Sequence, residues 1–405
     1  MVTAIPTCIL SFGLLSTDLT VRVSQIDTPP MPRYFRLSLP HQIMEESIAM
    51  NGGDGPYSYT QNSKFQEAGS DVAKVLLSNS IKENLQIGKF CDDSNQEPFT
   101  IVDYGCSVGP NTFASIQTIL DSVQLKFKTQ RIKSKKPEFL VFFNDLIGND
   151  FNTLFQALPA DRKYFAAGVA GSFHEQLFPK ASVNFMHSAF ALHWLRKVPD
   201  EVMKVDSVTW NKGRITYVRS PDEVVKAYAA QFSRDVEAFL KSRSMEMAED
   251  GLLVILMPCR PEGSAPADSI LMQVFECLAY TLGDMAKEGI VSEALVDSFN
   301  LPIFIPTASD VKDLVSKMGC FSIEEVEETY YPPKLSSPAD ARLTSSHIRA
   351  AMEVILSKHF GSEVIDELFE RYTAKLFEFS KTPAFTRIEK LENLFMFLKK
   401  NAVSE

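Results

Sequence analysis

Five short apolar runs, spaced so that helical stretches fall between them, constrain this chain more than any other feature. They are Phe99-Thr100-Ile101-Val102-Asp103 and the runs at 139–143, 164–169, 183–187 and 252–257. Runs this short and continuous, bounded by turns, are strands buried on both faces. The helices between them are the crossovers that parallel strands require. The predicted fold class is therefore α/β, a parallel sheet with helices on both faces. Between the fourth and fifth runs, Ser220-Pro221-Asp222-Glu223 reads as an N-cap, a proline in the first turn and an acid at the third position. Val225, Tyr228, Phe232, Val236 and Phe239 then recur at three- and four-residue steps as one apolar stripe. Residues 268–290 and 345–379 also read as helices, separated by residues 299–306 and the break at Tyr330-Tyr331-Pro332-Pro333. That is more helix than a five-strand unit needs. It predicts a helical cap over the carboxyl edge of the sheet, with insertions at about 200–235 and 262–345.

Composition acts by exclusion. A formal net charge of -10 argues against a protein built to grip nucleic-acid phosphates, which takes a basic face. No run of about 18 apolar residues occurs, so no membrane-spanning helix is expected. The six cysteines (Cys8, Cys91, Cys106, Cys259, Cys277, Cys320) form no CxxC pair and no short Cys/His spacing. A reducing compartment, the cytoplasm, is the natural reading.

Residues 1–43 stand apart. They hold two acids (Asp18, Asp27), three arginines (Arg22, Arg33, Arg36), no lysine and a proline-rich stretch at 28–32. Such a composition occurs in transit-like leaders, but the expectation adopted is a disordered extension outside the core. The core domain then covers 44–405, with Met44 as an alternative start.

Two segments carry chemistry on their residue types alone. The first run ends in Asp103-Tyr104-Gly105-Cys106-Ser107-Val108-Gly109-Pro110-Asn111. An acid and two glycines there bring backbone close to a ligand, at the edge where open α/β sheets bind ligands. The segment is neither GxGxxG nor a P-loop. Asp145, ending the second run, stands where such folds hydrogen-bond a ribose, and together these features favour a nucleoside-bearing cofactor. The fourth run leads into His187-Ser188-Ala189-Phe190-Ala191-Leu192-His193-Trp194. An indole N–H beside an apolar face, with imidazole nearby, suits orienting a small planar or apolar acid. No HExxH occurs, which excludes a zincin.

Set beside Met50-Asn51-Gly52-Gly53-Asp54-Gly55, Ser58-Tyr59 and Asn62-Ser63, these segments closely resemble one family, the plant SABATH methyltransferases. Further matches are Phe143-Asn144-Asp145-Leu146, Asn149-Asp150-Phe151-Asn152, Gly171-Ser172-Phe173, Leu177-Phe178-Pro179, Asn211-Lys212-Gly213 and Asp297-Ser298-Phe299-Asn300-Leu301-Pro302, in family order. The resemblance implies a Rossmann-like class I methyltransferase sheet with a helical cap. It also implies an enzyme that moves a methyl group from S-adenosylmethionine to the carboxylate of a small acid. Methylation of a purine-like heterocycle nitrogen is the alternative. By the same resemblance, Tyr59, Ser63, Asp103, Cys106, Asn111, Asp145, Leu146, Ser172, Phe173 and Ala189 contact the cofactor. Gln66 and Trp194 hold the substrate carboxylate, and Phe190 and His193 line its pocket. Some members are described with a magnesium ion, whose positions correspond to Asn211, Asp297, Phe299 and Asn300. A homodimer is the family's usual assembly.

Two residues depart from the commoner pattern. Asn51 replaces a lysine of several carboxyl methyltransferases and is shared with the caffeine-pathway N-methyltransferases, and Phe190 replaces a tyrosine. The implied chemistry needs no acid or base, because a carboxylate is already ionised at neutral pH.

Overall fold

Alternation along each strand decides which layer its side chains join. On β1 (Phe99–Tyr104), Val102 and Tyr104 enter one buried cluster, while Phe99 and Ile101 enter another on the opposite face. On β5 (Met247–Pro258), Leu253, Ile255 and Met257 fall in the first cluster, and Leu252, Val254 and Leu256 in the second. A period of two with both faces apolar is what a sheet between helical layers demands. Each such large apolar side chain, fully buried, is worth about 1.5–3 kcal/mol.

The computed structural model describes residues 49–86, 97–129, 138–331, 335–386 and 391–401. The expected extension at 1–43, the alternative start at Met44, and Cys8 and Cys91 lie outside the described residues. Seven strands form one sheet in the order β3-β2-β1-β4-β5-β7-β6. Here β2 is Phe139–Asp145, β3 Phe165–Ala170, β4 Val183–Ala189, β6 Phe321–Tyr331 and β7 Leu391–Lys400. The first five strands run parallel, as the five apolar runs predict. β7 inserts antiparallel between β5 and β6. The strand order reverses between β1 and β4, and a ligand crevice belongs outside the carboxyl ends of the strands at that point.

Helices α1 (Lys64–Asn84) and α2 (Pro110–Thr129) cover one face, through Leu77, Ile81, Ile116, Ile119 and Val123. α3 (Asp222–Glu246) covers the other, with Val224, Tyr228, Phe232, Val236 and Phe239 buried. Its start differs from the expected cap. Pro221 is the N-cap residue and no side chain caps the helix; Ser220 Oγ instead donates to Asn211 Oδ1 at 2.8 Å. α3 packs on the sheet toward its C-terminal end, its Phe239 ring 6.0 Å from that of Tyr104. Part of the expected cap segment at 262–345 is sheet, since β6 falls within it.

α4 (Ile270–Lys287), α5 (Ala308–Met318), α6 (Pro338–Phe360) and α7 (Ile365–Phe379) follow. α6 starts with Pro338 at N1 and a reciprocal cap between Ser337 and Asp340. α7 packs on both α4 and α6, and its Tyr372 hydroxyl donates to the Val274 carbonyl at 3.1 Å. No helix among the described residues is long and apolar enough to cross a membrane.

Candidate active site

The turn after β1 is held open by backbone conformation. Gly105 has φ +81°, and a Cβ there would stand 2.4 Å from Ala191 Cβ, so glycine meets both the left-handed geometry and the close approach. Ser107 follows with φ +50°. Its N–H donates to Asp145 Oδ2 at 2.6 Å, while the Leu146 N–H donates to Oδ1 at 2.8 Å. Burial raises Asp145 from 3.8 to about 6, against the two N–H donors that lower it, and nearby Asp103 adds to the rise. Asp103, at the carboxyl end of β1, accepts from His187 Nδ1 at 2.7 Å through Oδ1 and from the Thr112 hydroxyl through Oδ2. Burial and these two carboxylates push the Tyr59 hydroxyl and the Cys106 thiol upward, so both stay protonated.

Nine of the ten expected cofactor residues line one cleft at this edge: Tyr59, Asp103, Cys106, Asn111, Asp145, Leu146, Ser172, Phe173 and Ala189. Ser63 does not line it; its carbonyl accepts from Asn111 Nδ2 at 3.0 Å and so holds a lining residue. His187 and Thr112 also line the cleft, and the sequence reading gave them no role there.

A second cavity of about 610 Å³ adjoins the first and is lined by all four expected substrate residues, Gln66, Phe190, His193 and Trp194. Among its other walls are α4 (Ile270, Leu271, Val274, Phe275) and α6 (Thr344, His347, Ile348, Ala351). Gln66, Phe190, Trp194 and Ala351 line both spaces and form the partition between them. Phe190 has φ +54°, an uncommon state for a bulky residue, and its N–H donates to the Leu256 carbonyl at 2.7 Å. Its ring rests on Gly69 of α1, where a Cβ would lie 2.5 Å from Phe190 Cζ. His193 is buried and pulled down to about 3 by that burial, so the ring is neutral, with Nδ1 unpartnered among the described residues. The Gln66 amide nitrogen lies 3.5 Å from His347 Nε2.

Asn51 lines neither space. Its Nδ2 donates to the Tyr57 carbonyl at 3.0 Å and to Glu353 Oε2 at 3.2 Å. The residue that left open a heterocycle substrate therefore lines neither space and instead ties its loop to α6.

The expected magnesium positions do not fit a cation. Asn211 Nδ2 donates to Asn300 Oδ1 at 2.7 Å and to the Thr216 carbonyl at 2.8 Å, and Asn211 Oδ1 accepts from Ser220. Asp297 Oδ1 accepts from the Gly213 N–H at 2.7 Å. The amide oxygens a hard cation would need are engaged, and a donor N–H points between them. Phe299 contributes a buried ring beside His359 and Phe360. No cluster of three or more His, Cys, Asp or Glu side chains that could hold a metal occurs among the described residues.

The family model described as "SAM dependent carboxyl methyltransferase" matches residues 45–401. The chain is 42% identical over 383 residues to loganic acid O-methyltransferase of Catharanthus roseus, covering 93% of this chain and 99% of the relative. It is 36% identical to farnesoic acid carboxyl-O-methyltransferase of Arabidopsis thaliana, over 81% of this chain and 92% of that one. A solved structure described as loganic acid methyltransferase with SAH superposes with a TM-score of 0.81 at 42% identity, covering 87% of this chain and 99% of that one.

Proposed function

The chain belongs to the SAM-dependent carboxyl methyltransferases, and from that premise we propose how its own residues perform the transfer. The enzyme moves a methyl group from S-adenosylmethionine to the carboxylate of a small organic acid, giving a methyl ester. One observation supports the division of labour: Gln66, Phe190, Trp194 and Ala351 line both the cleft and the larger cavity, so a group passing between the two crosses only that partition.

Bound S-adenosylmethionine supplies an electrophilic methyl group on a sulfonium. The acid is already ionised, so no side chain has to take a proton. In this reading Asp145 would accept from the ribose hydroxyls of the bound cofactor, whose sulfonium would supply the methyl group. The Gln66 amide and the Trp194 indole N–H aim one carboxylate oxygen through the partition. Both donors are neutral and leave most of the negative charge on the attacking oxygen. Phe190 and Ala351 keep water from the reaction line. Holding reactants in line can supply up to about 11 kcal/mol, far more than two hydrogen bonds at about 1–3 kcal/mol each. Geometry therefore carries the rate.

The cavity of about 610 Å³ lies within the range of about 300–1,000 Å³ that takes drug-sized ligands. We accordingly place the substrate among acids larger than benzoic acid. Action in the cytoplasm and assembly as a homodimer complete the proposal on family resemblance alone; light scattering tests the second. The main test is transfer of labelled methyl into solvent-extractable product over loganic, farnesoic, salicylic and benzoic acids and a set of xanthines. Labelled xanthine with no labelled acid would replace the ester reading with N-methylation.

A further inference from the structure

We propose that His347 is the positioning residue that turns the Gln66 carboxamide so that an N–H, and not its carbonyl, meets the bound carboxylate. The proposal rests on Gln66 being a carboxylate ligand, as in the functional reading above.

His347 stands on α6 and lines the larger cavity beside Gln66. Its Nδ1 lies 2.9 Å from the Asn62 carbonyl, an atom that can only accept, so Nδ1 carries the hydrogen. A neutral imidazole has one N–H, which leaves a lone pair on Nε2. Burial favours the neutral ring, pulling it down to about 4. Phe65 packs against it with centroids 4.8 Å apart.

The Gln66 amide has two orientations, related by a flip. One sets an N–H toward the His347 lone pair, with the nitrogens 3.5 Å apart. The other sets Oε1 against it, lone pair to lone pair. The imidazole selects the first, and the second hydrogen on the same nitrogen stays free to donate. Oε1 contributes nothing to the choice, because it is buried with no donor among the described residues. His347 is the amide's hydrogen-bond partner among the described residues. Asn62 is itself tied down, its Nδ2 donating to the Pro56 and Ser58 carbonyls at 2.8 Å each. A continuous set of contacts thus runs from the segment at 56–62 through the imidazole to the carboxylate ligand.

The test uses two variants and a double-mutant cycle. His347→Phe keeps a ring against Phe65 and removes both nitrogens; His347→Gln restores an acceptor near the place of Nε2. Each is made alone and together with Gln66→Met, with the fastest-reacting acid of the panel above as probe. The expected result is a loss of about tenfold in kcat/KM for His347→Phe, mostly in KM, as for one hydrogen bond. His347→Gln should recover most of it, cofactor affinity by calorimetry should hold, and His347→Phe should add no loss in the Gln66→Met background. Additive losses, or equal losses in the Phe and Gln variants, overturn the proposal alone and make His347 a packing residue. Full acid turnover in Gln66→Met by itself overturns the functional reading of Gln66, and this proposal with it.

Discussion

His187 and Asp103 meet across neighbouring parallel strands at the floor of the cofactor cleft, Nδ1 to Oδ1 at 2.7 Å, with both side chains buried. Removing one partner of a buried hydrogen bond leaves the other unsatisfied. His187→Leu should therefore cost about 1–3 kcal/mol, while Thr112 still serves Asp103. Urea denaturation checks it, and an unchanged midpoint would make the pair energetically idle.

Trp194→Phe keeps the aromatic surface of the partition and deletes the indole donor. We expect kcat/KM for the acid to fall about 10–100-fold, with cofactor affinity unchanged, as for one hydrogen bond to a charged group. Were Trp194 core filling only, the melting temperature would drop while turnover per folded molecule held.

The raised Asp145 makes cofactor binding pH-dependent. Burial holds the carboxyl up at about 6, and ribose hydroxyls would donate to its ionised form. Binding therefore releases a proton below that pH. Affinity should be flat above about pH 7 and weaken by up to about tenfold per pH unit below 6. Asp145→Asn should flatten that slope while lowering affinity throughout. Calorimetry with S-adenosylhomocysteine from pH 5 to 8 reads both.

Metal removal should leave turnover unchanged. Asn211, Asn300 and Asp297 satisfy one another and nearby backbone, so EDTA treatment followed by added magnesium should leave kcat and KM where they were. A metal-dependent rise in rate would show that a cation binds elsewhere or that this network rearranges.

Four of the five parallel strands were legible because a strand buried on both faces must be continuously apolar. β3 reads as apolar too, yet it is an edge strand with Phe165 exposed, contrary to the expected burial on both faces. The last two strands were not. β6 carries Glu324, Glu325, Glu327 and Glu328, and charges on an edge strand guard against edge-to-edge pairing while hiding its strand character from an apolarity scan. β7 pairs with residues far back in the chain, Phe321 with Lys400 at one end, a partnership no local pattern encodes. Within the site, the segments at 103–111 and 187–194 were legible because a turn or strand end fixes where its residues face. His347 and Ala351 were not, because their role depends on the rotation of α6 against the sheet. Asn211 and Asn300 matched a pattern at the level of residue type, and only the direction of their hydrogen bonds shows them turned toward each other.

Gly69 sits in mid-helix, where glycine costs about 1 kcal/mol relative to alanine. Alanine there would strengthen α1 and drive a methyl group against Phe190 Cζ. The displaced ring would intrude on the path between sulfonium and carboxylate. Gly69→Ala should thus trade a gain in helix propensity for lost turnover, a conflict between durability and activity localised to one hydrogen atom. Selection for thermal robustness alone would find this substitution attractive, whereas selection for ester production would reject it.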